Sequence, residues 1–359
     1  MAALPRVESK HLFNYCLTGI YDEEVAAEHA KAMQIFTSDK SNKALLNPAK
    51  LDCQEMSSVM RRYVTKLFTE LGEHPSLVEA VEGCTHTNFE VPPRDGNDYS
   101  VPVLVHTPMY LAGQNDSKKG NAAMIYAHGG GVVSGTAEEF KPWLSDIAVK
   151  TGIVVFNVDY RLAPETKCPK NALDFYCAVK HVIENASDLG IDPDRISICG
   201  ASGGGYIVMA AMVMLAQKDE GHLIKLALPC IPMIDDYEFG DTNSMTKEER
   251  ENFAGMRKVW ECLATDLEEQ RKNSDPLLFP AKAPDELLAK MPPTIIWEVE
   301  FDFFITAATR MANRLRAAGR LLEFYVAPGV THGGDINPNL KVYHRNIKDI
   351  KLALEAYLF

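Results

Sequence analysis

Several things are scarce in this 359-residue sequence, and each shortage removes a class of function. Positive charge is short: 37 Lys and Arg stand against 49 Asp and Glu, a formal net charge of −12. A nucleic-acid binder needs a basic face to neutralise phosphates, so that class is excluded. Adsorption to an anionic membrane by charge alone is disfavoured for the same reason. No apolar run reaches roughly 18 residues, so no stable membrane insertion is expected. None of the 8 cysteines forms a Cys-x-x-Cys pair, and no Cys/His group has zinc spacing, so no metal site is predicted. Cys199 and Cys230 lie inside apolar runs, where a thiol behaves as a small core residue. Internal repeats and low-complexity tracts are absent. Residues Met1 to Glu8 lack the apolar core of a signal peptide, and the final four residues are not a retention or peroxisomal signal. The expectation is a soluble, cytoplasmic protein. The sequons at Asn115 and Asn185 then read as chance matches.

What is present is an ordinary hydrophobic fraction, 46%, in a chain long enough for a full core. Residues 1–84 carry helical patterning, with apolar residues at helical spacing over Asp22 to Phe36 and Ser57 to Leu71. His11, His29 and His74 sit in polar surroundings and read as surface residues. From Thr85 the period changes. Two strand-like runs, His86 to Val91 and Tyr99 to His106, flank the turn-rich Pro92-Pro93-Arg94-Asp95-Gly96-Asn97-Asp98 and predict an antiparallel hairpin.

Strand and helix then alternate. Strands are expected at Ala122–Ala127, Ile153–Val158, Arg195–Cys199, Leu226–Ile231, Thr294–Val299 and Leu321–Val326. Helices are expected near Phe140–Lys150, Ala172–Asn185, Tyr206–Gln217, Ile305–Ala318 and Val342–Tyr357. Such alternation predicts a mostly parallel sheet with helices on both faces, and ligands bound at the carboxyl ends of its strands. More than fifty residues separate Ile231 from Thr294, too many for a plain crossover. Asp235 to Arg271 is charged and helical in pattern, with Phe253 and Trp260 on an apolar side, and reads as an inserted cap. The expected division is an N-terminal helical segment (1–84), a first core part (85–232), a cap (233–274) and a second core part (275–359).

The organising stretch is Ile196-Ser197-Ile198-Cys199-Gly200-Ala201-Ser202-Gly203-Gly204-Gly205-Tyr206. It reads as strand, sharp turn and helix, with Ser202 at the apex of a Gly-x-Ser-x-Gly elbow bounded by Gly200 and Gly204. Ser202 needs a base, and the base needs an orienting acid. His332 lies in Pro328-Gly329-Val330-Thr331-His332-Gly333-Gly334, a glycine-rich loop past the last strand. The acid should leave the preceding strand, where Glu298, Glu300 and Asp302 are available. Asp302 follows the apolar run and precedes a helix, so its carboxylate can turn toward the site. His128-Gly129-Gly130-Gly131, directly after a strand, offers backbone N–H groups unobstructed by side chains, as a developing oxyanion requires. It lacks the Lys-Ser/Thr ending of a P-loop. Asp159-Tyr160-Arg161-Leu162-Ala163-Pro164-Glu165 is a charged turn in which Asp159 and Arg161 read as ion-pair residues bracing the site.

Together with Asp275-Pro276-Leu277, these motifs resemble the hormone-sensitive-lipase-like family of α/β-hydrolases, from about residue 85 to the end. The resemblance implies an α/β-hydrolase fold, with a mostly parallel eight-stranded sheet flanked by helices and a helical cap. It implies a serine carboxylesterase without a cofactor, acting on a small-molecule ester. In that reading Ser202 is the nucleophile, His332 the base and Asp302 the orienting acid. The backbone N–H groups of Gly129, Gly130 and Gly203 form the oxyanion hole. His128, Gly131, Asp159, Arg161, Gly200 and Gly204 support the site. The resemblance also allows a homodimer through the last strand. The chain departs from the family in three places. Gly203 replaces the usual Ala, predicting a freer oxyanion geometry. The acid loop is Glu300-Phe301-Asp302-Phe303-Phe304. Val132 replaces a frequent aromatic, which predicts a wider pocket. Short- to medium-chain acyl esters are the expected substrates. Two alternatives share the fold: an amidase or deacetylase with the same triad, and a non-catalytic small-molecule receptor.

Overall fold

The computed structural model describes residues 23–25, 27, 50–111, 120–235 and 247–359. Most of the expected Asp22–Phe36 helix, His11, His29 and residues 236–246 of the expected cap lie outside these residues.

Eight strands form one sheet: β1 (Cys84–Val91), β2 (Val101–Pro108), β3 (Asn121–Ala127), β4 (Val154–Val158), β5 (Ile191–Ala201), β6 (Leu226–Cys230), β7 (Thr294–Phe301) and β8 (Leu321–Thr331). Their spatial order is β1-β2-β4-β3-β5-β6-β7-β8. The first two pair as the expected antiparallel hairpin, with Val91 opposite Val101, and β2 runs antiparallel to β4. All other neighbours are parallel. The central strands are buried on both faces, which explains their largely apolar runs.

The helices are α1 (Cys53–Gly72), α2 (Pro75–Glu82), α3 (Ala137–Thr151), α4 (Lys170–Glu184), α5 (Gly203–Gln217), α6 (Lys247–Leu263), α7 (Leu267–Lys272), α8 (Asp285–Leu288), α9 (Ile305–Ala317) and α10 (Lys341–Leu358). A capping box starts α1: Asp52 Oδ1 accepts from Glu55 N at 2.8 Å, and Glu55 Oε2 accepts from Asp52 N at 3.0 Å. His74 also has a local role, because its Nδ1 caps α2 at Ser76 N. Helix α5 is apolar around its whole circumference and lies in the core, with residues 203–216 all buried. One core cluster gathers α4, α5 and α9 residues on one face of the sheet, and a second gathers α3 and α10 residues on the other.

The cap-like helices α6 and α7 occupy the long β6–β7 connection. On α6, Val259 and Trp260 are buried; nothing is described for the side chain of Phe253. Trp260 meets Tyr206 edge-on at 5.9 Å and packs against Phe279 at 5.3 Å. Cys168 N donates to Leu263 O, and Lys167 Nζ donates to Cys262 O, so α6 is tied to the loop after β4. The seven described cysteines are unpaired thiols. Among the described residues no helix is long and apolar enough to cross a membrane.

Candidate active site

Strand β5 turns into α5 at Ser202, whose backbone has φ +57° and ψ −117°. A side-chain-bearing residue avoids this left-handed conformation, so the turn must be held from outside. Ser202 N donates to Cys230 O at 2.9 Å, and Ser202 O accepts from Tyr206 N at 3.1 Å. The flanking glycines are required by space. A Cβ at Gly200 would stand 2.5 Å from Gly204 O, and one at Gly204 only 2.0 Å from Ala127 O.

His332 follows β8. Its Nε2 lies 2.9 Å from Ser202 Oγ and its Nδ1 lies 2.7 Å from Asp302 Oδ2. Asp302, just past β7, is fully buried, and its other oxygen accepts from Phe304 N at 2.8 Å. The ring of Phe303 lies 4.6 Å from that of His332, and the ring of Phe304 meets it edge-on at 5.4 Å. Burial pushes the imidazolium of His332 down. The charge and hydrogen bond of Asp302, together with the charge of Asp335, outweigh it and raise the pKa above 6.5.

The two other acid candidates have different surroundings. Glu298 is fully buried, and burial, with the charges of Asp302 and Asp335, holds its carboxyl well above the usual range. Its Oε1 is buried without a hydrogen-bond partner among the described residues. Glu300 accepts from Gly329 N at 2.7 Å and so braces the loop leading to His332.

The His128–Gly131 loop lies against the elbow. A Cβ at Gly203 would stand 2.7 Å from Gly131 N and 2.6 Å from Val132 N. Gly129 lies beside Ala201 O and Ser202 Cβ instead. Gly130 and Gly131 have φ of +111° and +63°. Gly203 is therefore a tight fit, not a source of freedom. Val132 is fully buried at φ +63°. On α6, Val259 Cγ1 would lie 3.5 Å from a Cβ at Gly131, which places the cap-like helix on the loop.

His128 is buried, with its ring stacked 4.4 Å from Tyr160, and Tyr160 Oη donates to His128 O at 2.7 Å. Burial lowers the His128 pKa and keeps it neutral. Asp159 and Arg161 are not paired with each other. Asp159 Oδ1 accepts from Ala137 N at 2.8 Å, at the start of α3. Arg161 grips buried Asp174 with Nε at 2.9 Å and Nη2 at 2.7 Å, and stacks 4.4 Å over Tyr99. Tyr206 fills the space beside the elbow and donates to Leu277 O at 2.9 Å. Asp275, two residues before that carbonyl, accepts from Leu277 N at 2.9 Å.

The structure thus brings Ser202, His332 and Asp302 into one hydrogen-bonded line beside the Gly129–Gly131 loop. It places Asp159 and Arg161 in the supporting framework. Sequence reasoning missed Arg61, whose guanidinium donates to Val133 O and Ala163 O, and Tyr160 as the residue that packs His128. Among the described residues no group of His, Cys, Asp and Glu is arranged to hold a metal ion.

Comparison with known proteins bears on the family of the chain. A family model described as alpha/beta hydrolase fold matches residues 124–335. An arylesterase of Saccharolobus solfataricus is 28% identical over 223 residues, covering 62% of this chain and 69% of the relative. The carboxylesterase NlhH of Mycobacterium tuberculosis is 31% identical over 242 residues, covering 65% and 70%. The solved structure of a bacterial heroin esterase superposes with a TM-score of 0.74 at 26% identity, covering 95% of this chain and 99% of that one. The chain belongs to the α/β-hydrolase family, in its hormone-sensitive-lipase-like carboxylesterase class.

Proposed function

We propose that this carboxylic ester hydrolase works through Ser202, His332 and Asp302 on small esters with short- to medium-length acyl chains. One observation carries the mechanism: a single imidazole bridges Ser202 Oγ and Asp302, with Nε2 and Nδ1 each at hydrogen-bond distance. As Oγ attacks the ester carbonyl, its proton passes to His332 Nε2. Asp302 holds the ring by its Nδ1–H and stabilises the imidazolium. The carbonyl oxygen gains negative charge, which the backbone N–H groups of Gly129, Gly130 and Gly203 receive as the oxyanion hole. The C–O bond to the alcohol breaks, and the alcohol leaves with the proton from His332. Water then attacks the acyl-enzyme. It gives a proton to His332, which returns it to Oγ as the acid departs.

The helices between residues 233 and 274, with the N-terminal helical segment, serve as a cap. The packing of Val259 beside Gly131 supports a compact pocket, and with it short acyl chains. Unpaired thiols at every described cysteine support a reducing, cytoplasmic setting. Strand β8 ends the sheet and is the edge through which a homodimer would form.

A panel of chromogenic esters of rising acyl length, with an anilide analogue, tests the proposal on the wild type and on Ser202→Ala. Turnover confined to the wild type and greatest on short or medium esters is expected. Equal turnover by Ser202→Ala would end the serine mechanism, and a maximum on long insoluble esters would end the chain-length assignment. Faster anilide than ester turnover would move the assignment to amides.

A further inference from the structure

The reacting groups leave unexplained an arginine on α1, a helix whose sequence carries no visible chemistry. Arg61 donates from Nε to Val133 O at 2.9 Å and from Nη2 to Ala163 O at 3.1 Å. The same guanidinium forms a two-point pair with Glu165, Nη1 to Oε1 at 3.0 Å and Nη2 to Oε2 at 2.7 Å. One planar fork therefore holds two main-chain carbonyls and a carboxylate, from two loops far away in sequence. Both loops border the glycine donors. Val132 O accepts from Ala163 N at 2.8 Å, which joins the loops to each other. Gly130 O accepts from Val133 N at 3.2 Å, from Ser134 N at 3.0 Å and from Ser134 Oγ at 2.9 Å. A displacement at Val133 is thereby passed directly to Gly130 and Gly131.

Glycine peptides have no side chain to fix their orientation, and Gly130 and Gly131 adopt φ values that other residues avoid. Their N–H directions must be set by neighbours. Just after the loop, Ala163 N holds the Val132 carbonyl and Arg61 holds the next one, Val133 O.

We infer that Arg61 is a positioning residue for the oxyanion hole: by gripping the Val133 and Ala163 carbonyls it sets the direction of the glycine-loop N–H groups. Helix α1 is then part of the catalytic apparatus and not only a cover. The inference rests on the serine-esterase reading above. It also explains arginine at this position. A lysine ammonium can pair with Glu165 but has no planar fork to reach both carbonyls as well.

The test compares Arg61→Gln, Arg61→Lys and Glu165→Gln in the full chain, with Arg94→Gln as a control that removes another two-point ion pair, to Glu184, outside these loops. Three quantities are measured on folded protein: kcat and KM on a short chromogenic ester, and the inhibition constant of a trifluoromethyl ketone. The adduct of that ketone with Ser202 places an oxyanion in the hole. In Arg61→Gln, kcat is expected to fall about 10- to 100-fold, as misplaced catalytic groups cause. The ketone should weaken by a similar factor while KM holds, the signature of an interaction made in the transition state. Glu165→Gln keeps both carbonyl contacts and should retain most of kcat, and Arg94→Gln should match the wild type.

Unchanged kcat and ketone affinity in Arg61→Gln overturn the inference. So does a rise in KM alone, or a loss in Glu165→Gln as large as that in Arg61→Gln, which would assign the effect to the ion pair. If Arg61→Gln does not fold, Arg61→Lys decides, with reduced kcat and weakened ketone binding expected. Failure of the underlying reading is seen separately, as turnover retained by Ser202→Ala.

Discussion

Gly203 stands so close to Gly131 that a methyl group on its α-carbon would lie 2.7 Å from the Gly131 amide nitrogen. The obstacle is backbone on both counts, since Val132 N lies 2.6 Å from the same point. The resemblance to its family implies alanine here in most members. In this chain the glycine loop occupies the room an alanine needs. Gly203→Ala must therefore push the loop outward and separate the donors of the proposed oxyanion hole. Overpacking of this kind costs about 1–3 kcal/mol of stability. We expect a fall in kcat of about 10-fold or more, since one lost oxyanion donor costs about 100-fold. Steady-state kinetics beside a urea melt checks both. A variant with full kcat would show that the loop yields without cost.

The pH profile follows from His332. Its folded pKa lies above 6.5, because Asp302 and Asp335 outweigh the effect of burial. The proposed mechanism needs the neutral imidazole, so kcat/KM should rise with pH through a midpoint above 6.5 and then level off. The same shift has a stability consequence of defined sign. A raised folded pKa means that the native state holds its proton more tightly, so this contribution is full below 6.5 and is lost as pH rises through the folded value. A kcat/KM limb with its midpoint below 6.5 would contradict the assignment of Asp302 as the charge facing His332.

Asp335 gives that limb a second control. Burial, opposed by a backbone hydrogen bond and by His332, pushes its carboxyl up to about 6. Asn346 Nδ2 donates to its Oδ2 at 2.9 Å, while Oδ1 is buried without a partner among the described residues. The groups acting on it by charge are His332 and Asp302. Above about 6 the ionised carboxylate favours the imidazolium. Asp335→Asn removes that charge and should move the kcat/KM limb toward lower pH, with the plateau rate largely kept. An unmoved limb would show that Asp335 only braces its loop.

The hydrogen-bonded line proposed as catalytic was legible because each of its members follows a strand. Ser202, Asp302 and His332 sit just past β5, β7 and β8, where an α/β sheet presents its ligands. Where prediction fell short, the missing information was tertiary. Strand β5 begins at Ile191 and not at Arg195, because Ile191 pairs with Asn121 across a register shift. Strand β8 runs on through Pro328 and Gly329 to Thr331, since Thr331 pairs with Phe301. Helix α5 starts at Gly203 although three glycines are poor helix formers, because the elbow leaves no room for larger residues. Arg61 was unreadable for a related reason. Its partners lie 72 to 104 positions away, and nothing local marks a helix-surface arginine as different from its neighbour Arg62.

The supporting motif makes a prediction about stability rather than rate. Asp174 is fully buried and accepts from Arg161 Nε at 2.9 Å, Arg161 Nη2 at 2.7 Å and Arg161 N at 3.0 Å. It also accepts from Asn97 Nδ2 at 2.7 Å, which ties the β1–β2 turn to α4. The bond to Asp174 raises the pKa of Arg161, so the guanidinium stays charged at any accessible pH. Asp174→Ala removes the compensating charge and leaves several donors unmatched. Breaking a buried pair from one side costs about 3–5 kcal/mol, far more than losing a surface pair. The control is Glu184→Ala, which removes the half-exposed partner of Arg94 and should cost about 1 kcal/mol or less. Urea unfolding of the two variants should separate them clearly. Arg161 adjoins Tyr160, which packs the ring of His128, so Asp174→Ala should also lower kcat even under conditions where it is folded. Equal melting of the two variants would mean that Arg161 finds water or another acceptor, and that the loop after β4 does not depend on this pair.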